Sequence, residues 1–335
     1  MSGLLGTDVP LFEAHDAALV DLDGVAYRGP HAIPTAPAGL AAARAAGMRI
    51  VFVTNNASRE PGTVASHLTE LGMPTETHEV LTAAQAVARM VAEELPAGSP
   101  ILVVGGQGLR TALTEVGMTL VDSADPTPAA VVQGFHPEVS WNDFAEASYA
   151  ITAGAKFFAS NRDLTIPNHR GTAPGNGALV NVVVTATGVE PPSAGKPEPE
   201  MFRLAAKQAE SARPMVIGDR LDTDLKGGNA AGIPGLMVLT GVNDGRDAIL
   251  APADQRPSYI GRDLGCLAHP HPAPKRDGDR WKVREASARV VDGRLMVHGD
   301  DELDRLRAAC AAAWEAADAG ETVSIEGVDR IGVAS

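Results

Sequence analysis

The apolar positions of this chain fall into short runs, and polar residues close each run. Ala17-Ala18-Leu19-Val20 is followed at once by Asp21-Leu22-Asp23-Gly24, and Arg49-Ile50-Val51-Phe52-Val53 ends in Thr54-Asn55-Asn56. Pro214-Met215-Val216-Ile217 ends in Gly218-Asp219-Arg220-Leu221-Asp222-Thr223-Asp224. Runs of this length, bounded by turn residues, read as buried strands. Between the first two, Pro37 to Ala46 reads as an Ala-rich helix closed by Gly47. Ser58 is placed to cap a helix running toward Leu71, stopped by Gly72 and Pro74. Alternating strands and helices imply a parallel sheet with right-handed crossovers. In such sheets ligands bind beyond the carboxyl ends of the strands, where these acids, hydroxyls and amides collect.

The interval from the Thr-Asn-Asn segment to Lys196 has elements of its own. Helices are predicted near 83–95, 109–116 and 141–153, with strands near 101–104, 129–133 and 156–159. An interval this long is no simple loop. After the third run a strand is predicted at 236–239, and the pattern ends near Leu267. His269-Pro270-His271-Pro272-Ala273-Pro274 breaks regular structure and reads as a linker. Beyond it the pattern predicts a hairpin over 281–298 turning at Asp292-Gly293, an amphipathic helix over 301–319 and a last strand over 322–326. This tail carries no acid/base or metal cluster. It reads as an interaction or oligomerisation module, or as a helix packed on its own hairpin.

Composition narrows the function classes. The chain has 335 residues, of which 44% are hydrophobic and 4% aromatic, which suits an Ala/Val/Leu-rich α/β protein and not a disordered one. A formal charge of −14 with no basic stripe argues against nucleic acid or an anionic membrane as partner. It does not exclude a phosphate substrate, provided that a cation neutralises the site. Cys266 and Cys310 form neither a disulfide framework nor a zinc spacing and are expected to be buried or half-buried. With no signal-peptide pattern at the start and no membrane-spanning run, the protein is expected to be cytoplasmic.

Asp21-Leu22-Asp23-Gly24-Val25, Thr54-Asn55-Asn56, Lys196 in Gly-Lys-Pro, and Gly218-Asp219 with Asp224 resemble the four motifs of the haloacid dehalogenase superfamily. The phosphatase branch with the NagD-type and pyridoxal/phosphoglycolate enzymes is the most similar, and the resemblance spans about 14–267. Composition and tail resemble most the actinobacterial glycerol-3-phosphate phosphatases of that branch. The resemblance implies an α/β fold: a Rossmann-like core over 1–82 and 192–267, an inserted α/β cap over 83–191, and a small α+β unit over 268–335.

It also implies the chemistry. Asp21 is the expected nucleophile toward phosphorus, forming an aspartyl-phosphate. Asp23 is the expected acid toward the leaving alkoxide and then the base toward water. A carboxylate is ionised at neutral pH, so Asp21 needs orientation, whereas Asp23 needs a less solvated setting to hold a proton. Up to four converging acids repel by roughly 4 kcal/mol per pair at an effective dielectric of ~20, so a hard cation is required, and oxygen ligands point to Mg²⁺. The expected ligands are the carboxylates of Asp21 and Asp219 and the backbone carbonyl of Asp23, with Asp224 orienting the site from behind. Lys196, Thr54, Asn55, Asn56 and the backbone of Arg220, Leu221, Asp222 and Thr223 are expected to bind the phosphoryl group. In the cap, Arg162, Asp163, His169, Arg170 and Asn176 are candidates for reading the substrate, and His136 is taken as structural.

The expected function is a Mg²⁺-dependent phosphomonoesterase for a small metabolite, glycerol 3-phosphate first. Phosphoglycolate, pyridoxal phosphate and nucleoside monophosphates remain open, as does homo-oligomerisation. Dehalogenation and phosphonate cleavage are disfavoured by Asp23. A phosphometabolite sensor is the alternative of another class.

Overall fold

The computed structural model describes residues 3–168 and 170–328. The expected candidate His169 therefore lies outside the described residues. After a short helical turn (Leu11–Ala14) the chain runs through β1 (Ala17–Val20), α1 (Ala36–Ala45) and β2 (Arg49–Thr54). It continues through α2 (Pro61–Glu70), β3 (Val80–Thr82), α3 (Ala83–Glu94), β4 (Pro100–Val104), α4 (Gln107–Glu115) and β5 (Thr119–Val121). Next come β6 (Ala130–Gln133), α5 (Trp141–Thr152), β7 (Lys156–Ala159), β8 (Thr165–Asn168), β9 (Gly171–Pro174) and α6 (Asn176–Thr187). The chain returns through α7 (Pro199–Gln208), β10 (Pro214–Gly218), α8 (Lys226–Ala231), β11 (Gly235–Val238), α9 (Gly245–Ile249) and β12 (Tyr259–Gly261). It finishes with β13 (Lys275–Asp277), β14 (Arg280–Val283), β15 (Ala286–Val291), β16 (Arg294–His298) and α10 (Glu302–Asp318).

These elements form two compact units. The first holds 1–52, 71–73 and 205–335, and the second holds 53–70 and 74–204. In the first unit a parallel sheet runs in the order β12-β11-β10-β1-β2. Its strands are buried on both faces, hence their unbroken apolar runs. Val20 pairs with Ile217 and with Phe52, so Asp21 leaves its strand level with Gly218. Register alone thus brings two polar strand ends side by side.

The tail is part of this unit. It is a four-stranded antiparallel meander, β13-β14-β15-β16, with α10 laid across it. The predicted turn at Asp292-Gly293 is present, both residues at positive φ (50° and 74°), which suits the right-handed twist of the flanking strands. The sheet begins earlier than the sequence suggests, at Lys275, because Gly278 supplies another positive φ and turns a hairpin before Trp281. The predicted last strand reduces to a single bridge between Ser324 and Arg294. The helix buries Leu306, Ala309, Cys310, Ala313 and Trp314 in one apolar cluster with Leu221, Leu225, Met237, Ile249 and Ile260 of the parallel sheet and its loops. It therefore packs both on its own meander and on the parallel-sheet part of the unit.

The Pro-rich segment before the meander is pinned, not free. His271 is buried, with Nε2 accepting from the Ile260 N–H at 3.0 Å and Nδ1 donating to the Leu5 carbonyl at 2.8 Å. On the same residue, the Ile260 carbonyl accepts from Arg307 Nη2 at 2.8 Å.

The second unit is built on a parallel sheet of order β5-β4-β6-β7, with α5 and α6 packed on each other on its apolar cluster. Thr82 caps α3 by accepting from the Gln85 N–H at 3.3 Å, and Ser140 and Asp143 form a capping box at α5. The helix expected from Ser58 starts at Pro61 instead. Ser58 N–H and Oγ donate to Asn56 Oδ1 at 2.8 and 2.9 Å, which commits that stretch to a turn, and Pro takes the first helical position. The antiparallel pair β8/β9 was not foreseen.

Candidate active site

β1 and β10 each end in an acid, and the first unit brings three carboxylates together. Ligand oxygens of Asp21, Asp219 and Asp224 lie within 4.8 Å of one another. Asp219 and Asp224 are buried and Asp21 is half-buried. Asp21 keeps its backbone in the ladder, donating to Ile217 O at 2.9 Å. Asp219 Oδ2 accepts from the Val242 N–H at 2.6 Å, and its carbonyl accepts from the Asn243 N–H at 3.2 Å. Asp224 Oδ2 accepts from the Arg220 N–H at 3.2 Å. Asp224, expected to orient the site from behind, has a carboxylate oxygen in the same cluster as those of Asp21 and Asp219.

Glycines admit this crowding. A Cβ on Gly241 would lie 1.8 Å from Asp219 Oδ2, and one on Gly218 would lie 2.2 Å from the Asp224 Cβ. Gly24, at φ 89°, would place a Cβ 2.4 Å from Asp219 Oδ2. Its left-handed backbone turns the chain directly after Asp23. The donor set is oxygen only, acidic and closely held, and it fits a small hard dication.

Asp23 differs electrostatically from its neighbours. Desolvation raises its pKa above the usual carboxylate range, opposed by the nearby Arg28 guanidinium, although the residue is exposed to solvent, which tempers the shift. Arg28 is fixed by donating from Nη2 to the Thr240 carbonyl, and Thr240 Oγ1 donates to Gly24 O at 2.6 Å. The strand-end loop of β11 thereby braces the turn that carries Asp23.

The loop after Asp219 forms a π-helical turn over Leu221–Leu225. Several groups expected to meet a phosphate are engaged within it. The Leu221 N–H donates to Asn243 Oδ1 at 2.9 Å, and the Arg220 N–H is taken by Asp224. The Arg220 guanidinium spans both oxygens of Asp222, at 3.1 and 2.8 Å. Burial pushes the Asp222 pKa up, but its pairing with Arg220 outweighs this and leaves it lowered. The backbone of Arg220 and Leu221 is therefore spent on the loop itself.

In the second unit, Thr54 and Lys196 are buried and Asn55 joins the two loops that hold Lys196. Asn55 Oδ1 accepts from the Lys196 N–H at 2.8 Å, and its Nδ2 donates to Lys196 O at 3.0 Å and to Asp163 Oδ2 at 2.9 Å. Asn161 Nδ2 donates to Asn55 O at 2.8 Å. The Asn55 side chain, expected to bind phosphate, thus also clamps loops of its own unit. Asn56 is likewise a turn residue, accepting from Ser58 and from the Arg59 N–H at 3.3 Å, while its own N–H donates to Thr54 Oγ1 at 3.1 Å. Lys196 Nζ donates to Val53 O at 3.3 Å.

The cap candidates divide. Asp163 is tied to Asn55, and buried Asn176 donates to Asn161 O at 2.8 Å, which shapes the loop from inside. Arg162 is engaged by Glu190 at 2.7 Å and Asn181 at 3.2 Å, and Arg170 is exposed. Sequence reasoning missed Asn161, Arg28, Thr240 and Asn243. For the last two a signal existed, because the loop after β11, Thr240-Gly241-Val242-Asn243-Asp244, follows an apolar run with polar residues as at the other strand ends.

Residues 18–119 match the family model described as haloacid dehalogenase-like hydrolase, and 193–267 match the HAD-hydrolase-like model. The D-glycerol 3-phosphate phosphatase of Mycobacterium tuberculosis is 41% identical over 91% of this chain and 87% of its own length. The chain belongs to the haloacid dehalogenase-like hydrolases. An acid sugar phosphatase of Staphylococcus saprophyticus is 36% identical over 75% of this chain and 95% of its own. The crystal structure of a glycerol phosphate phosphatase from Mycobacterium tuberculosis in complex with magnesium superposes with a TM-score of 0.85 at 41% identity, covering 92% of each chain. The tail adds a second likeness, since residues 284–333 match a GCN5-related N-acetyltransferase-like domain. Among the described residues of this hydrolase, no helix is long and apolar enough to cross a membrane.

Proposed function

We propose that this hydrolase is a Mg²⁺-dependent phosphomonoesterase that converts glycerol 3-phosphate to glycerol and phosphate. The observation that carries the reading is the cluster of Asp21, Asp219 and Asp224 beside an Asp23 of raised pKa. The substrate is supported by the glycerol phosphate phosphatase that shares 41% identity and by its solved magnesium complex.

Asp21 attacks phosphorus, forming an acyl-phosphate bond as the bond from phosphorus to the alcohol oxygen breaks. Asp23 delivers its proton to the departing alkoxide, then takes a proton from the water that cleaves the acyl phosphate and frees Asp21. Asp21 and Asp219, with the carbonyl of Asp23, would hold Mg²⁺, and Asp224 completes the acidic set. The ion supplies charge neutralisation and polarises phosphoryl oxygens when bound. Lys196 and the Thr54 hydroxyl neutralise and orient the phosphoryl group, and Asn55 fixes Lys196 for that task. The expected division is a catalytic core over 1–82 and 192–267 and a cap over 83–191, whose loop at 160–163 and turn at 174–177 would read the alcohol. Two free cysteines agree with a reducing compartment, the cytoplasm.

The test is Mg²⁺-dependent phosphate release from glycerol 3-phosphate, phosphoglycolate, pyridoxal phosphate and UMP, with Asp21→Asn as control. Glycerol 3-phosphate should lead, and the mutant should release none. Another leading substrate overturns the specificity. Tight binding without release from any overturns the enzyme and favours a sensor.

A further inference from the structure

We infer that Asn243 is a positioning residue for the cation, and that the C-terminal unit acts on the site through it. The inference rests on the reading of Asp219 as a metal ligand. It starts from three bonds at one residue. The Asn243 N–H donates to the Asp219 carbonyl at 3.2 Å, its Oδ1 accepts from the Leu221 N–H at 2.9 Å, and its Nδ2 donates to Asp247 Oδ2 at 3.0 Å. The adjacent Val242 N–H donates to Asp219 Oδ2 at 2.6 Å. A two-residue loop therefore fixes the backbone and one carboxylate oxygen of Asp219, and ties both to the first turn of α9.

α9 is in turn fixed from the tail. Its cap, Asp244, receives the Arg246 and Asp247 N–H groups at 2.8 and 3.2 Å, and the Asp244 N–H donates to Asp247 Oδ2 at 2.9 Å. Trp314 of α10, buried, donates Nε1–H to Ala248 O at 3.0 Å. Arg246 Nη1 reaches the Val328 carbonyl at 3.4 Å. A five-residue helix has little stability of its own, so its place is set by what packs on it. The route runs from Trp314 to Ala248, through α9 to Asn243, and from there to Asp219. It lies wholly within one unit.

Groups that orient a ligand from outside the coordination shell change metal affinity by about 10–100-fold when removed. Asn243→Ala in the full chain should weaken Mg²⁺ binding, measured calorimetrically on substrate-free protein, by about that factor. The Mg²⁺-induced rise in Tm should shrink with it, while the KM for substrate at saturating Mg²⁺ stays near that of the wild type. Trp314→Phe, which keeps the ring and loses the N–H, should weaken Mg²⁺ in the same direction by a smaller factor. If wild type binds Mg²⁺ and Asn243→Ala binds it equally well, this inference is overturned even where Tm has fallen. A wild type that takes up no Mg²⁺ overturns the metal reading, and this inference with it.

Discussion

Two aspartates two residues apart, Asp21 and Asp23, stand at the end of one buried strand. Gly24, left-handed at φ 89°, turns the chain directly after Asp23, and desolvation raises the Asp23 pKa above the ordinary carboxylate range. An acid of that kind matters in proportion to the basicity of the leaving group. Asp23→Asn should therefore lower turnover of glycerol 3-phosphate by about 10²–10⁴-fold. The pre-steady-state burst of nitrophenol from p-nitrophenyl phosphate, whose leaving group needs no proton, should suffer far less. Equal losses on both substrates would remove Asp23 from the role of acid. The clustered acids Asp21, Asp219 and Asp224 were legible because strand ends are short and their polar punctuation is local. What Asn55 does was not legible. Its amide meets Lys196 and Asp163, more than a hundred positions away, and no local pattern encodes such pairings.

Among the elements, strands with uninterrupted apolar runs and helices with clear stops were readable. The pair β8/β9 was not, since Thr165-Ile166-Pro167-Asn168 carries neither alternation nor an apolar run. The tail shows another limit. A Gly at positive φ sets a turn before Trp281, and the helix of the tail answers to partners far upstream in the sequence. Close backbone approach also has a sharp element-level consequence. Gly195 sits where a Cβ would fall 2.6 Å from Ser160 O and 2.8 Å from Asn55 Oδ1. Gly195→Ala should push apart the loops that clamp Lys196, lowering activity at least about tenfold and costing about 1–3 kcal/mol of stability. Steady-state kinetics and denaturant unfolding check the two effects. Wild-type values for both would mean the loops yield at no cost.

At the scale of the molecule, the first unit is one compact body that includes its tail. Ending the chain after Ala268 would strip α10 from Leu225, Met237, Ile249 and Ile260. Such a truncation should be insoluble or markedly destabilised, which expression yield and thermal unfolding would show. A soluble truncation with wild-type Tm would make the tail independent. Acid should act on the same region. Burial, aided by Arg307, drives the His271 pKa down to about 3 from the ordinary 6.5. Between those values the unfolded chain binds a proton that the folded one refuses. Stability is thus fully present above pH 6.5 and is lost at up to about 1.4 kcal/mol per pH unit as pH falls toward 3. Buried His15, also lowered by desolvation, adds in the same sense. Comparing Tm at pH 7 and pH 4.5 in wild type and His271→Asn would test this, and the variant should show the flatter profile.

That histidine has a further consequence at the last strand of the parallel sheet. An open sheet ends in a row of unmet donors and acceptors, a template on which another chain adds itself. Here the outward N–H and C=O of Ile260 are occupied by the imidazole of His271 and the guanidinium of Arg307. Two side chains stand where a neighbouring molecule's backbone would bond, so the seam is closed to strand-by-strand polymerisation. Protonating the imidazole removes its acceptor, and the acid that loosens the fold unseals the edge in the same event.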